Sequence, residues 1–182
     1  MLRHADPKRD AGACAAIYAP YVDGRATSFE QSPPTPEDFA ERIRRISASY
    51  PWLVAQRDGN VAGFAYATSH RERAAYRWTA ETSVYIDAAY QGQGLGRELY
   101  GTLLDLLRRQ RLHVACAGVT LPNEASVALH ESLGFTPVGT YRRIGFKAGT
   151  WRDVGWWQLL LGGEAADAPQ EPLGPQHLDL AT

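Results

Sequence analysis

The feature that most constrains the fold is a run of glycines at alternate positions, placed between an apolar stretch and an amphipathic one. The segment reads Val84-Tyr85-Ile86-Asp87-Ala88-Ala89-Tyr90-Gln91-Gly92-Gln93-Gly94-Leu95-Gly96-Arg97. Its first residues predict a strand, and the leucines from position 95 to position 107 fall on one face of a following helix. Because glycine lets the backbone approach a ligand closely, and because a helix N-terminus carries partial positive charge, this turn predicts a phosphate or pyrophosphate site.

Two other interpretations of this turn stay open on the residues alone. One is a turn that simply needs glycine. The other is a dinucleotide-binding fingerprint, which requires a third glycine where the chain has Arg97 and an acidic residue about 20 residues further on, where the chain has none. Arg97 opposes the helix dipole unless an anion lies beside it. Of the functions that stay open, a nicotinamide-dependent oxidoreductase therefore has the weakest support from these residues.

The other periodic patterns predict a mixed α/β (α+β) sheet domain over residues 1–161. Helix-start signals occur at Asp6-Pro7 and at Thr35-Pro36, and Asp58-Gly59 marks a hairpin. Strands are expected at 2–4, 52–56, 61–68, 82–86, 114–120, 138–146 and 153–161, and helices at 7–18, 36–47, 94–111 and 123–133. Residues 162–182 contain three prolines and no Lys or Arg, so this C-terminal tail is expected to be mobile unless a neighbour holds it.

Composition excludes several functional classes. The chain has 182 residues, 45% of them hydrophobic, which fits one globular domain. A net charge of −1 gives no global attraction to nucleic acid or to anionic membranes, and no apolar run reaches the roughly 18 residues that a membrane span needs. Two cysteines, Cys14 and Cys116, form neither a disulfide framework nor a complete zinc site, so we expect a cytoplasmic protein without a metal.

Several ordered motifs resemble those of one enzyme superfamily. Gln91-Gly92-Gln93-Gly94-Leu95-Gly96 resembles the acyl-CoA motif Q/R-x-x-G-x-G/A of the GNAT N-acetyltransferases, and Asn123 with the later Leu133-Gly134-Phe135 resembles another of their motifs. Four further stretches are similar to the phosphinothricin N-acetyltransferases and methionine sulfoximine/sulfone acetyltransferases: Tyr50-Pro51-Trp52-Leu53-Val54-Ala55, Trp78-Thr79-Ala80-Glu81, Leu121-Pro122-Asn123 and Asp153-Val154-Gly155-Trp156-Trp157-Gln158-Leu159. The resemblance covers residues 2–161.

The resemblance implies a GNAT-type acyl-CoA N-acyltransferase fold, with a central, mostly antiparallel, twisted sheet that contains a splayed parallel strand pair and is flanked by helices. It also implies acetyl-CoA as the donor, a small-molecule amine as the acceptor, direct transfer between them, and a homodimer. The acceptor would be an amino acid or an analogue. By carry-over, the cofactor-binding residues are Val84, Tyr85, Ile86, Gln91, Gly92, Gln93, Gly94, Leu95, Gly96, Arg97 and Asn123.

Two side chains are candidate catalytic residues. The resemblance assigns the general base to Glu81, whose carboxylate can take the proton of an ammonium group, although the residue alone also fits an ordinary strand glutamate. His130 lies seven residues after Asn123, about two helical turns, and either moves a proton, binds the leaving thiolate or is structural. Cys116 raises an acyl-enzyme alternative, but a cysteine in an apolar strand is expected to be inert, as is Cys14.

The loop from His70 to Trp78 precedes Glu81 and is expected to shape the acceptor pocket. The resemblance gives these candidate substrate-binding residues: Phe29, Arg71, Arg73, Ala74, Ala75 and Tyr76. Arginines could bind the carboxylate and the phosphinate or sulfone of an amino-acid analogue, or they could be solvated loop charges. Trp151, Trp156 and Trp157 are expected in the core or in a dimer contact. Two other functions stay open, namely acetylation of a protein N-terminus or another amine, and acyl-CoA binding without catalysis.

Overall fold

The fold comprises one sheet with helices on both faces. A computed structural model describes residues 1–23, 26–162, 168–175 and 178–180. The strands are β1 (Leu2–His4), β2 (Trp52–Arg57), β3 (Asn60–Ser69), β4 (Thr79–Ile86), β5 (Val114–Leu121), β6 (Thr136–Lys147) and β7 (Thr150–Leu160). The α-helices are α1 (Pro7–Val22), α2 (Pro36–Ser47), α3 (Leu95–Arg109) and α4 (Glu124–Ser132), and short 3-10 turns cover Ala74–Tyr76 and Ala88–Tyr90.

The sheet is antiparallel except at its centre. Its strand order is β1-β2-β3-β4-β5-β7-β6. Strands β4 and β5 are parallel, and they pair only over Thr79–Glu81 and Val114–Cys116. Beyond Glu81 the two strands separate, while β4 stays paired to β3 as far as Ile86. The predicted mixed α/β sheet with a splayed parallel pair is therefore confirmed.

The helix-start signals act as predicted. The Asp6 side chain accepts hydrogen bonds from the backbone N–H groups of Lys8 and Arg9, and Thr35 forms a capping box with Asp38. Helix α1 continues to Val22, beyond its expected end at residue 18, because Val22 is buried in the core. Strand β4 begins before the expected residue 82, because its first residues pair with both β3 and β5.

Two hydrophobic cores lie on opposite faces of the sheet. The larger one packs α3 against small residues of the sheet such as Ala80 and Ala115. The other packs α1 and α2 against Trp52 and Phe64. Side chains alternate along a strand, so successive residues of β4 face different cores. The gap between the splayed strands β4 and β5 therefore adjoins both faces of the sheet.

The described part of the C-terminal tail lies against the domain. Leu178 is only 4% exposed and belongs to the larger core. The backbone N–H of Leu173 donates to the carbonyl of Gln110 at 2.9 Å, and the Trp78 indole donates to the carbonyl of Gln170 at 2.8 Å. The tail therefore has the kind of neighbour that was expected to hold it, and its mobility stays a prediction. Part of the tail, 163–167, 176–177 and 181–182, lies outside the described residues.

The described helices include none that is both long and apolar enough to cross a membrane.

Candidate active site

An open cleft of about 410 Å³ lies where β4 ends and α3 begins. Its walls come from the end of α1, the splayed end of β4, the glycine turn and the start of α4. Nine of the predicted cofactor-binding residues line it: Val84, Tyr85, Ile86, Gln91, Gly92, Gly94, Gly96, Arg97 and Asn123. Positions that are distant in the sequence therefore converge on one cavity.

The glycine turn supplies a row of free backbone donors. Gly92 and Gly94 have φ angles of +72° and +80°, in the left-handed region where a side chain is strained. Gly94 is the N-cap of α3 and contributes no side chain, and the first intrahelical bond runs from the Glu98 N–H to the Gly94 carbonyl. The N–H groups of the first helical turn precede that bond and have no partner within the helix, so they are available to an anion.

The edge of β4 that faces the cleft is open. Beyond Glu81 this edge has left β5, while its other edge is bonded to β3. The Ile86 carbonyl accepts hydrogen bonds from the Tyr21 hydroxyl at 2.6 Å and from the Gln91 side chain at 3.1 Å. These bonds fix the end of the strand, and the main chain before it remains accessible for an extended ligand.

Two predicted cofactor residues do not line the cleft. Leu95 is 3% exposed, because its side chain packs into the core beneath α3. The Gln93 side chain turns back and donates to the carbonyl of Ala89 at 2.9 Å. Conversely, no sequence signal indicates Tyr21 or Thr27, which line the cleft from the end of α1 and from the segment after it. No motif marks them, because they reach the site only through the packing of α1.

The cleft continues into the gap between the splayed strands. A smaller cavity of about 70 Å³ lies there, and it shares Val84, Asn123 and Ser126 with the cleft. Asn123 is the N-cap of α4 and accepts a hydrogen bond from the Ser126 backbone N–H at 3.2 Å. His130 lines this smaller cavity from the α4 side. A ligand in the cleft can therefore extend towards this histidine.

The imidazole of His130 is held in one orientation. Its ring contacts the rings of Tyr100 and Phe135 edge to face, with both pairs of centroids 5.2 Å apart. Its Nδ1 lies 2.7 Å from the Ser126 carbonyl, which only accepts, so Nδ1 carries the proton. Burial lowers the pKa of His130, and the bond to Ser126 opposes this change only in part. The ring is thus neutral near pH 7 and has an unprotonated Nε2.

Glu81 lies at the point where β4 and β5 separate. Its Oε1 is 2.9 Å from Nδ1 of His70 and 3.4 Å from Nη1 of Arg71. The carboxylate is about one-third exposed. The next residue, Thr82, is buried and bonds to Tyr100 on the α3 face. Because strand side chains alternate, Glu81 faces the opposite side from His130, and the structure places no hydrogen bond between the two.

The predicted acceptor loop is exposed from Arg71 to Arg77, and two of its predicted substrate-binding residues contact Glu81 or His70. Arg71 contacts Glu81, and Tyr76 packs edge to face against His70 with centroids 5.8 Å apart. Arg73 is exposed, as are Ala74 and Ala75 of the 3-10 turn. Arg71 therefore lies at Glu81 itself, and Tyr76 lies against the histidine that bonds to it.

Two further residues of this region differ in their surroundings from the expected acceptor contacts. Arg77, one of the three loop arginines, forms an ion pair with Glu171 of the tail at 2.9 Å and lies over the Trp78 ring. Phe29 is 39% exposed and lies directly against Gly145 of β6, where a Cβ atom would clash. The structure therefore connects Phe29 to the β6–β7 hairpin rather than to the loop.

An aromatic wall continues from the loop onto β7. Trp156 lies edge to face with His70 at 6.0 Å and with Tyr141 at 6.1 Å. A Cβ atom at Gly118 of β5 would lie 3.3 Å from the Trp156 ring, so the glycine makes room for the indole. Trp157 is in the core as expected and Trp151 is exposed, whereas Trp156 borders the candidate site.

The two cysteines have weakly acidic thiols. Burial raises the pKa of Cys116, and the charge of Glu81, its neighbour across the β4–β5 pair, raises it further. Cys14 is fully buried in α1, and burial raises the pKa of its thiol to about 12. A nucleophilic thiolate needs the opposite shift, so neither site favours an acyl-enzyme. Within the described ranges no cluster of His, Cys, Asp or Glu side chains could hold a metal ion.

Comparison with known proteins agrees with this geometry. Residues 4–156 match the model of the acetyltransferase (GNAT) domain. The chain is 40% identical to the phosphinothricin N-acetyltransferase of Streptomyces viridochromogenes over 90% of both chains. It is 39% identical to the L-methionine sulfoximine/L-methionine sulfone acetyltransferase of Salmonella typhimurium, over 91% of this chain and 96% of that one.

A solved structure shows a similar fold with a ligand. It is the GNAT superfamily phosphinothricin acetyltransferase from Sinorhizobium meliloti in complex with acetyl-CoA. Its TM-score is 0.90 at 33% sequence identity, covering 98% of this chain and 97% of that one.

Proposed function

The chain belongs to the GNAT acetyltransferase family, and we propose that it acetylates the free amino group of a small amino acid or amino-acid analogue. It is an N-acetyltransferase with acetyl-CoA as the donor. The observation that carries the proposal is the open edge of β4, which leads from the glycine turn directly to Glu81. The relatives of this chain that are named for phosphinothricin and for methionine sulfoximine or sulfone support an amino-acid analogue as the acceptor.

The residues of the cleft fit the donor. Acetyl-CoA supplies an acetyl thioester, an extended arm with two amides, and a pyrophosphate. The free N–H groups at the start of α3, with Arg97 beside them, would bind the pyrophosphate. The open main chain of β4 before Ile86, at Val84 and Tyr85, would pair with the amides of the arm, as an added strand does, while the N–H and the carbonyl of Ile86 are bonded to Tyr21. An arm of acetyl-CoA held in this way would direct the thioester into the gap between β4 and β5.

The proton of the acceptor ammonium would go to Glu81. An amine attacks a carbonyl carbon only after it has lost that proton, and a carboxylate at hydrogen-bond distance can take it. Glu81 is partly exposed and adjoins the gap, which suits contact with an incoming acceptor. Arg71, Arg73 and Tyr76 surround its approach and would bind the acid groups of that acceptor.

His130 would act at the other side of the gap. Its Nδ1 proton is committed to the Ser126 carbonyl, so its Nε2 offers a lone pair and no proton. Of the roles open to this histidine, the geometry favours accepting a proton or a hydrogen bond over protonating the leaving thiolate. His130→Gln should therefore lower kcat, while a solvent-exposed substitution on α4 should not.

A screen of acceptors tests the proposal. Free thiol released from acetyl-CoA is followed with L-phosphinothricin, methionine sulfone, methionine sulfoximine, ordinary amino acids and peptides with free N-termini, and products are identified by mass. We expect turnover with the small acidic analogues. Turnover with peptides alone would favour a protein N-terminal acetyltransferase. CoA binding without turnover of any amine would favour a protein that only binds acyl-CoA.

A Glu81→Gln variant tests the assignment of the base. The change keeps the shape of the side chain and removes its ability to take a proton. We expect a fall in kcat of about 100-fold or more, because general-base catalysis contributes roughly 10²–10⁴-fold, with acetyl-CoA binding retained. Turnover close to that of the wild type would show that another group takes the proton.

A second copy of the chain would cover the edge of the sheet. Strand β6 lies at this edge, and it and β7 expose Val138, Tyr141, Ile144, Phe146 and Trp151. Such an apolar edge strand favours association, and the family resemblance implies a homodimer. Ile144→Glu should convert a dimer to a monomer in sedimentation analysis, whereas the same change at an exposed site on α3 should not.

The free thiols of Cys14 and Cys116 suit the reducing cytoplasm in which we place the enzyme.

A further inference from the structure

The two oxygens of the Glu81 carboxylate are held differently. Both Nδ1 of His70 and Nη1 of Arg71 contact Oε1, at 2.9 and 3.4 Å. Oε2 has no hydrogen bond to any of the residues that the structure describes. The shorter contact, from His70, falls within normal hydrogen-bond geometry, while the contact from Arg71 is long and that side chain is half exposed. His70 is thus the principal group that orients the carboxylate.

The His70 ring is itself fixed by packing. Tyr76 contacts it edge to face from the 3-10 turn, and Trp156 does so from β7. The His70 side chain is 17% exposed, although it belongs to the loop between β3 and β4. Because its rotamer is restricted in this way, the hydrogen bond to Glu81 forms with little further loss of conformational freedom. The position of the Glu81 carboxylate then depends on the loop and on β7 as well as on its own strand.

We propose that His70 is a positioning residue for acetyl transfer, which holds Oε1 of Glu81 so that Oε2 faces the acceptor amine. This inference rests on the proposed function. In the step concerned, an N–H bond of the ammonium breaks and an O–H bond forms at Oε2 of Glu81. The Nδ1 proton stays on His70 throughout and makes the hydrogen bond to Oε1. The amine is left neutral with a free electron pair.

Two substitutions of His70 separate a hydrogen bond from packing. His70→Phe keeps an aromatic ring between Tyr76 and Trp156 but cannot donate, and His70→Asn can place an amide donor near the site of Nδ1. For His70→Phe we expect kcat to fall by about tenfold or more, since a hydrogen bond to a charged group is lost, with the KM for acetyl-CoA unchanged. His70→Asn should restore most of kcat.

A control and a double variant complete the test. His4→Phe removes another imidazole, on β1 and bonded to the tail carbonyl of Leu178, and should leave kcat unchanged. Adding His70→Phe to Glu81→Gln should cost little more than Glu81→Gln alone, because both act on one group. Wild-type kcat in His70→Phe, or equal losses in the Phe and Asn variants, would overturn the proposal. An active Glu81→Gln variant would instead refute the proposed base itself.

Discussion

The glycine turn can be tested with two glycine-to-alanine substitutions on the same helix. Gly94 is the N-cap of α3 and has a φ of +80°, and Gly101 lies two turns further on without a positive φ. At both positions a new Cβ would meet nothing within 4 Å. The two substitutions add the same methyl group into open space, so they differ essentially in backbone conformation.

The expected magnitudes have opposite signs. An alanine in the left-handed region costs about 1–2 kcal/mol. An alanine inside a helix is favoured over glycine by about 0.8–1 kcal/mol, so Gly101→Ala should stabilise the protein by about that amount. The free energies of unfolding of the two variants should therefore differ by roughly 2–3 kcal/mol, the sum of these two contributions.

The same strain should appear in the affinity for the donor. If the turn relaxes out of the left-handed conformation, the N–H groups of the first helical turn move away from the pyrophosphate. The loss in affinity cannot exceed the strain that is relieved, which sets a limit of about 5–30-fold in the Kd for CoA.

Urea unfolding and calorimetric titration with CoA measure the two effects. We expect Gly94→Ala to lose stability, affinity or both, and Gly101→Ala to bind CoA as the wild type does. If Gly94→Ala matched Gly101→Ala in both measurements, the left-handed turn would not be what presents the backbone N–H groups to the ligand, which would refute the proposed pyrophosphate site.

Three further outcomes follow from contacts outside the turn. Asp10 is 1% exposed and accepts two hydrogen bonds from Arg3. Burial opposes its ionisation, but the bonds from Arg3 and from the Asp6 N–H outweigh burial and lower the pKa of Asp10. The ion pair therefore stabilises the fold above about pH 4, and this stabilisation is lost in acid. Asp10→Ala should cost about 3 kcal/mol in urea unfolding at pH 7 and clearly less at pH 3, and an equal cost at both would contradict the assignment. Leu178→Ala should cost about 2 kcal/mol if the tail is docked, and nothing if it is detached. Cys116→Ala should keep kcat within about twofold, whereas abolished turnover would revive the acyl-enzyme.

The fold was largely predictable because its signals are local. The helix starts at Asp6 and Thr35 and the hairpin at Asp58-Gly59 each depend on residues within a few positions of one another. Element ends were less predictable. Helix α1 and strand β4 extend beyond their expected limits because burial of Val22 and pairing of Thr79 come from distant strands and helices.

The candidate site was predictable on its donor side and less so on its acceptor side. The glycine turn is contiguous, so its motif and the adjacent Arg97 identify five of the fifteen residues that line the cleft, namely Gln91, Gly92, Gly94, Gly96 and Arg97. Residues such as Tyr21, His70 and Trp156 come from separate elements, and nothing in their own neighbourhoods indicates that they meet. Arg77 shows the converse, since its position in the loop suggested a substrate contact and the tail residue Glu171 binds it instead.

The amino-acid sequence alone determines the order of the elements, the glycine turn and the family. Each of these depends on residues that are close together along the chain. Only the tertiary structure determines three other features. These are the separation of β4 from β5 after Glu81, the unprotonated Nε2 of His130, and the different hydrogen bonding of the two Glu81 carboxylate oxygens. A proton's position depends on which buried acceptor lies within 3 Å, and that distance is fixed by packing between segments that are far apart in the chain.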